Sequence, residues 1–222
     1  MARNLYKVDG VRVPSVTTIL SRFKESGGLL YWANEAGRNG LTLEEARTPA
    51  ATAGSVAHDM VEAFIKQQPA PSTGHIDKAI VEKAQNAFAT FVKWFEMNNI
   101  TIRHTEVELV STRHRFGGRL DAIGVQPSGG DGKNEPALCL LDWKTSAAIY
   151  ADYVLQLAAY KILWEENYPD HPLGGGFHIA RFAKEEGDFG HFFYPALDHE
   201  AETFLQMRKL YDMIKQVEKR VK

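Results

Sequence analysis

Apolar residues follow two different periods along this chain, and the change of period divides it into two parts. Between residues 16 and 97 they recur at spacings of three and four, which predicts helices. Beyond Asn98 and Asn99, short apolar or alternating runs bounded by Gly, Pro and Asp predict strands. We therefore expect one domain, 1–222, with a mainly helical part, 1–99, and a sheet-containing part, 100–222, that ends in a helix.

The first part is predicted to begin with a small hairpin over residues 5–13 that turns at Asp9-Gly10. The predicted helices are Val16–Phe23 with Ser15 as N-cap, Leu29–Arg38 after a break at Gly27-Gly28, a short turn opened by a Thr42–Glu45 capping box, Pro49–Gln67, and Ile76–Met97. A loop over 69–74 precedes the last of these helices.

The second part is predicted to form a mixed sheet with helices on it. The strands are expected over 100–110, 116–125, 137–144, 177–183 and 191–194, and the helices over 151–168 and from Asp198, as N-cap, to about Val221. The order helix, three strands, helix, strand predicts an α/β fold with a central mixed sheet flanked by helices.

The stretch Leu138–Ser146 carries the first candidate chemistry. Residues two apart in a strand share a face, so Asp142 and Lys144 emerge together while Trp143 points the other way with Cys139 and Leu141. A carboxylate and an ammonium are thus brought to the end of an apolar strand, where charge is costly. An ordinary solvated ion pair is the alternative interpretation.

A second carboxylate, Asp121, interrupts the apolar strand before it. If the two strands form a hairpin, placing Asp121 opposite Asp142 gives cross-strand pairs whose numbers sum to 263 and centres the turn on Asp131-Gly132, a preferred hairpin dipeptide. Opposite residues lie close enough for two carboxylates to share a divalent cation, and oxygen ligands indicate Mg²⁺ or Mn²⁺. The alternative is that Asp121 takes a backbone contact or a contact with Arg119.

Composition limits the class of protein. The net charge of −2 argues against general polyanion binding but permits a local basic groove. A single cysteine, Cys139, excludes an intrachain disulfide and a four-cysteine iron–sulfur cluster. The sequence shows no signal-peptide pattern and no run of membrane-spanning length, so we expect an intracellular, cytoplasmic protein.

Four motifs together resemble a known superfamily. Asp121 and Asp142-Trp143-Lys144 resemble the PD-(D/E)XK nucleases, Gly54 to His58 resembles the Gly-x-x-x-His motif of their RecB-like branch, and Gln156 to Tyr160 resembles its Gln-x-x-x-Tyr motif. Within that branch, Pro-Ser-Val-Thr-Thr-Ile-Leu from Pro14 onward and Asp-Trp-Lys-Thr-Ser are similar to the mitochondrial genome maintenance exonuclease family and related phage or bacterial exonucleases. The resemblance implies a restriction-endonuclease-like core with a helical N-terminal elaboration.

The same resemblance implies roles for individual residues. It assigns His58, Asp121, Asp142 and the backbone carbonyl of Trp143 to a Mg²⁺ or Mn²⁺ ion, and Lys144, Asp121, Asp142, Gln156 and Tyr160 to catalysis. Each has a structural alternative: His58 as an ordinary helix-face histidine, Gln156 and Tyr160 as a helix surface packing on the sheet. Glu62, one turn beyond His58, would orient water or be solvated helix charge.

The implied activity is hydrolysis of phosphodiester bonds by a DNA exonuclease acting on single strands or ends, in DNA processing, repair or recombination. Contacts with DNA are expected from Thr145, Ser146, Arg113, Arg115 and Arg119. No Walker A sequence is present, so we expect no ATP site, and a helicase or recombination partner would be a separate protein. A structure-specific or double-strand nuclease and a catalytically silent DNA-binding module are the alternatives.

Overall fold

The structure, a computed structural model, describes residues 6–24, 27–127, 136–182 and 188–221. Its elements in chain order are β1 (Lys7–Val8), β2 (Val11–Arg12), α1 (Val16–Phe23), α2 (Gly27–Arg38), α3 (Leu43–Ile65), α4 (Lys78–Asn98), β3 (Thr101–Ser111), β4 (Phe116–Gln126), β5 (Ala137–Lys144), α5 (Ala151–Asn167), β6 (Phe177–Phe182), β7 (Phe189–Tyr194) and α6 (Asp198–Glu218). The predicted α/β class with a mixed sheet is confirmed.

The central sheet has five strands in the order β3-β4-β5-β6-β7. Neighbouring strands are antiparallel except β5 and β6, which are parallel and joined through α5. Parallel neighbours need a crossover connection, and here the crossover helix starts close to the end of β5. The polar end of β5 and the first turns of α5 therefore lie together.

Each face of the sheet is covered by its own hydrophobic cluster. One cluster joins α1, α5 and α6 to the sheet through residues such as Leu140, Leu157 and Phe204. The other joins α3 and α4 to the opposite face through Phe91, Trp94, Trp143 and Phe182, whose rings meet mostly edge to face. We call these the α5 face and the aromatic face.

Several local predictions are confirmed. Asp9 and Gly10 form the turn of the small hairpin with φ of 50° and 73°, as a two-residue turn with both central residues in the left-handed region requires. Ser15 caps α1 by accepting the Thr18 N–H at 3.0 Å. The β4–β5 pairs run from Ala122 with Leu141 to Gln126 with Ala137, all with the predicted sum of 263. The turn at Asp131-Gly132 lies outside the described residues.

Two helix predictions in the first part were wrong. Gly27 and Gly28 do not precede α2 but form its first turn, where a glycine costs less than in a helix interior. The Thr42–Glu45 capping box is present, but it opens the 23-residue helix α3 and not a short turn. Pro49, expected to begin a separate helix, lies inside α3; it falls close to the start, where the missing N–H removes one of the first intrahelical bonds.

The N-cap prediction for the last helix was also wrong. Asp198 is the first residue of α6, the N-cap position belongs to Leu197, and no side chain caps the helix. The Asp198 carboxylate instead contacts the Lys161 ammonium of α5 at 3.1 Å. Among the described residues, no helix is long and apolar enough to cross a membrane.

Candidate active site

The end of β5 places Asp142 and Lys144 on the α5 face and Trp143 on the aromatic face, as the strand period predicts. Asp142 is completely buried, and its carboxylate forms an ion pair with the Lys144 ammonium. Apart from that ion pair, neither carboxylate oxygen of Asp142 accepts a hydrogen bond from a residue that the structure describes. A buried carboxylate with so little compensation is costly for folding, which marks the position as a candidate site.

Asp121 lies close to Asp142. The β4–β5 ladder ends at the pair Ala122 and Leu141, so the two aspartates are the next residues along their strands. The Trp143 N–H donates to Asp121 Oδ2 at 2.8 Å. The backbone contact that the sequence left open is therefore present, and it fixes the Asp121 side chain beside the Asp142–Lys144 pair.

The electrostatics of the three groups follow from burial and proximity. Burial raises the pKa of both aspartates, although the nearby Lys144 charge opposes the shift. Burial alone would lower the pKa of Lys144, but the charges of Asp142 and Asp121 outweigh it and the net shift is upward. The charges of Lys144 and of the two aspartates thus favour each other's ionised forms, while burial opposes all three.

His58 on α3 faces this group from the neighbouring helix. Burial lowers its pKa, and the positive charge of Lys144 lowers it further. The imidazole is therefore neutral near pH 7, which is the form that offers a lone pair to a metal ion.

Gln156 and Tyr160 extend from α5 into the same space. The Gln156 Nε2 donates to the Tyr160 hydroxyl at 2.7 Å, as their i, i+4 spacing allows. Tyr160 reaches the sheet because its neighbour there is a glycine: a Cβ on Gly118 would lie 2.8 Å from the Tyr160 ring. Burial also raises the pKa of Tyr160 well above its usual value, so its hydroxyl keeps its proton.

A cavity of about 1710 Å³ opens over this site. Most of the predicted residues line it: His58, Asp121, Trp143, Lys144, Thr145, Ser146, Gln156, Tyr160, Arg115 and Arg119. Pockets for small ligands usually enclose about 300–1,000 Å³. The cavity therefore has room for a segment of a polymer.

Arg113 is not among the described residues that line the cavity. Its backbone N–H donates to the Glu166 carboxylate at 3.0 Å, and the same carboxylate holds the hydroxyls of Ser111 and Thr112. The turn between β3 and β4 is thus anchored on α5. The neighbouring residue Arg115, in contrast, reaches the cavity.

Sequence reasoning missed three arginines on the cavity wall. Arg12, Arg47 and Arg208 come from β2, α3 and α6, so no local motif gathers them. Arg208 is 7% exposed and donates from Nε and Nη2 to the Arg115 carbonyl at 3.2 and 3.0 Å. With Arg115, Arg119 and Lys144, these three arginines give the cavity wall six cationic side chains, against five carboxylates at Asp59, Glu62, Glu106, Asp121 and Asp212.

Glu106 is a carboxylate of the site that the sequence did not indicate. The β3–β4 ladder pairs Thr105 with Ala122 and Val107 with Leu120, which puts Glu106 opposite Asp121. Its φ of 54° is in the left-handed region, an uncommon conformation for a non-glycine residue within a strand. Burial and the Asp121 charge raise the pKa of Glu106 to about 7, while Arg119 contacts its carboxylate at 2.7 Å.

The alternation of β4 side chains between the two faces of the sheet is interrupted next to Asp121. Leu120 and Ile123 lie three residues apart, yet both pack in the cluster of the α5 face. A regular strand would put them on opposite faces. The irregular backbone therefore changes the direction of the side chains around Asp121.

The residues present fit a divalent cation in part. In the described part of the chain, no group of three or more His, Cys, Asp and Glu side chains is arranged to hold a metal ion. The Asp142 carboxylate nevertheless lacks hydrogen bonds in a fully buried position, and such an orphaned oxygen is what a hard cation satisfies. In this structure the Lys144 ammonium forms an ion pair with the Asp142 carboxylate.

Comparison with known proteins gives only distant similarities. No protein-family model and no curated protein matches the chain. Among solved structures, the chain is similar to a "putative exonuclease" from Eubacterium rectale, with 14% identity over 71% of this chain and 64% of that chain and a TM-score of 0.45. It is also similar to SSO0001, with 16% identity over 73% of each chain and a TM-score of 0.37. The chain thus spans less than two thirds of the length of the first protein.

Proposed function

We propose that this protein is a metal-dependent DNA exonuclease that hydrolyses phosphodiester bonds on single strands or free ends. The observation that carries the proposal is the buried Asp142, which lies close to Asp121 and pairs with Lys144 beneath a large cavity lined in part by arginines. A buried ion pair of this kind is rarely retained for stability alone. The resemblance of the four motifs to the RecB-like nucleases supports the same function.

Asp121, Asp142, His58 and the Trp143 carbonyl would hold Mg²⁺ or Mn²⁺. A cation bound there would supply Lewis-acid charge beside the scissile phosphate. The neutral imidazole of His58 and the oxygen atoms of the two aspartates are suitable donors for such an ion. The backbone hydrogen bond to Asp121 Oδ2 leaves its other oxygen for this purpose.

The other groups of the chain would act on the phosphate and the attacking water. Hydrolysis adds the water oxygen to phosphorus and breaks the bond to a sugar oxygen, which takes up a proton. The Lys144 ammonium would orient the water and stabilise the negative charge that develops on the phosphate oxygens. The Gln156–Tyr160 pair would form the wall against which the nucleotide lies.

The arginines would bind the flanking phosphates. Arg115 and Arg119 extend from the β3–β4 region and Arg12 and Arg47 come from the other walls, while the buried Arg208 holds the Arg115 backbone through its carbonyl. Phosphate contacts of this kind position a nucleic acid without reading its sequence. Trp32, which is 38% exposed on the α2 wall, offers an aromatic surface on which a base of single-stranded DNA would stack.

The test is a cleavage assay on labelled linear single-stranded, linear duplex and circular single-stranded DNA with Mg²⁺, Mn²⁺ or EDTA. We expect metal-dependent shortening of linear single strands and no cutting of circles. Circles cut as readily as linear strands would contradict the exonuclease assignment, and preferred digestion of duplex ends would favour the double-strand nuclease. Wild-type protein that binds DNA but is inactive with every metal would indicate the silent binding module.

A further inference from the structure

The Lys144 ammonium has a second neighbour that neither the motifs nor the proposed roles include. Its Nζ lies 4.9 Å from the centroid of the Tyr153 ring. A cation within about 6 Å of a ring centroid is attracted by the negative face of the ring, and the attraction grows when the cation is shielded from water. The Lys144 side chain is only 13% exposed.

Tyr153 belongs to the same helix face as the Gln-x-x-x-Tyr pair. It lies three residues before Gln156 and seven before Tyr160, so the three side chains form one stripe along the start of α5. All three line the cavity. The stripe therefore brings an aromatic ring to Lys144 and a hydroxyl and an amide to the space beside it.

The Tyr153 ring is itself braced from outside. The Tyr150 ring packs edge-on against it with 5.5 Å between centroids and a 76° angle. Lys24, at the end of α1, lies over the Tyr150 ring at 5.7 Å and pairs with Asp152 at 2.9 Å. The position of Tyr153 is thus fixed by contacts that do not involve the reacting groups.

We propose that Tyr153 is a positioning residue for Lys144: its ring confines the ammonium between the ring face and the Asp142 carboxylate, beside the place where phosphate must approach. This inference rests on the proposed function for its catalytic consequence, but the placement of Lys144 by the ring can be measured without activity. The ring of Tyr153, and not its hydroxyl, is the group that positions Lys144, because the Lys144 ammonium contacts the ring face.

The structural arm of the test uses protein with ¹³C at the lysine ε carbon. Protons held over an aromatic ring resonate upfield, and a Lys144→Arg protein identifies the Lys144 signal by its loss. We expect this signal to be shifted upfield in wild type and in Tyr153→Phe, and to move to the ordinary lysine position in Tyr153→Leu. A signal that does not move in Tyr153→Leu would overturn the proposal.

The kinetic arm compares the same variants on linear single-stranded DNA. Tyr153→Leu is expected to lower kcat about tenfold with KM nearly unchanged, while Tyr153→Phe retains the wild-type rate within about twofold. A change confined to KM would make Tyr153 a DNA contact, and equal loss in both variants would assign the effect to the hydroxyl; either result would overturn the proposal. If Tyr153→Leu does not fold, Tyr153→Met takes its place.

The two arms separate this inference from the proposed function. Should wild-type protein be inactive with every metal and substrate, the exonuclease assignment fails, and the resonance of Lys144 alone decides whether Tyr153 positions it. An active wild type in which Tyr153→Leu keeps both the signal and the rate would leave the function standing and remove Tyr153 from its machinery.

Discussion

At the C-terminal end of β5, the two faces of the strand carry side chains of opposite character, apolar on one face and charged on the other. On the aromatic face, Trp143 packs against the rings of Phe91 and Trp94 with centroid separations of 5.2 and 5.8 Å. On the α5 face, one residue away in either direction, Asp142 is completely buried and forms an ion pair with Lys144, whose side chain is 13% exposed. One strand thus carries an apolar cluster that stabilises the fold on one face and a costly pair of charges on the other.

The largest effect is expected from the aromatic face. Trp143→Ala removes a 5%-exposed indole from the ring cluster and leaves a cavity that its neighbours cannot fill. We expect the free energy of unfolding to fall by about 4 kcal/mol, as measured by urea denaturation. A loss below about 1 kcal/mol would mean that this face does not carry the stability of the sheet.

On the α5 face, replacing one of the two charged residues and replacing both are expected to have different effects on the free energy of unfolding. Asp142→Asn alone leaves the Lys144 ammonium without its principal partner and should cost about 3 kcal/mol. Asp142→Asn combined with Lys144→Met removes both charges, and we expect most of that loss to be recovered. Urea denaturation of the wild-type protein, Asp142→Asn, Lys144→Met and the double variant measures this coupling. If the losses of unfolding free energy in the two single variants simply add in the double variant, the result would contradict the proposed cost of burying the ion pair.

The aromatic face also contains a polar pair, His178 and His191. Their imidazoles are stacked, with 2.9 Å between Nδ1 of His178 and Nε2 of His191. Burial, followed by the neighbouring imidazole, lowers the pKa of His178 from 6.5 to about 4. The folded protein therefore holds this ring neutral at pH values where the unfolded chain protonates it.

Stability is consequently expected to fall as the pH is lowered. Between pH 6.5 and 4 the unfolded state binds more protons than the folded state, so the contribution is complete above pH 6.5 and lost toward pH 4. The shift corresponds to about 3 kcal/mol. Urea denaturation across this range should show the slope in wild type and a shallower slope in His178→Asn; equal slopes would refute the assignment.

The smallest predicted effect concerns the strained residue Glu106. Because its φ is 54°, glycine should be better tolerated there than alanine, by about 1 kcal/mol of unfolding free energy. Glu108, two residues further along β3, is the matched control: there the order should reverse, with alanine better than glycine. Thermal unfolding of the four variants measures both differences. The same order at both positions would show that Glu106 stores no backbone strain.

Regular features of this fold could be predicted from sequence because they depend on local period. The register of β4 and β5 followed from the positions of two aspartates and was found as expected in every described pair. The side of the strand on which Trp143 lies, the Ser15 cap and the Asp9-Gly10 turn followed from similarly local rules. These features place Asp121, Asp142 and Lys144 together.

Other features depend on contacts that no local pattern encodes. Glu106 enters the site through an irregular backbone, and a positive φ at a glutamate has no sequence signature. The Asp198 carboxylate pairs with the Lys161 ammonium on another helix. Arg208 lines the cavity from α6 and donates a hydrogen bond to the Arg115 carbonyl. A proline locally predicts the start of a helix, but at Pro49 the helix α3 continues through it. The packing of the rest of α3, which no local pattern encodes, keeps this segment helical.

Lys144 offers the sharpest test of the proposal that Asp121, Asp142 and Lys144 form a hydrolytic centre. Lys161 is a matched control, since its side chain is 15% exposed against 13% for Lys144 and it is likewise paired with carboxylates. The measurement is the single-turnover cleavage rate of linear single-stranded DNA with Mn²⁺. We expect Lys144→Ala to lower the rate by at least about 100-fold and Lys161→Ala to stay within about threefold of wild type. A folded Lys144→Ala protein that cleaves at the wild-type rate would contradict the account.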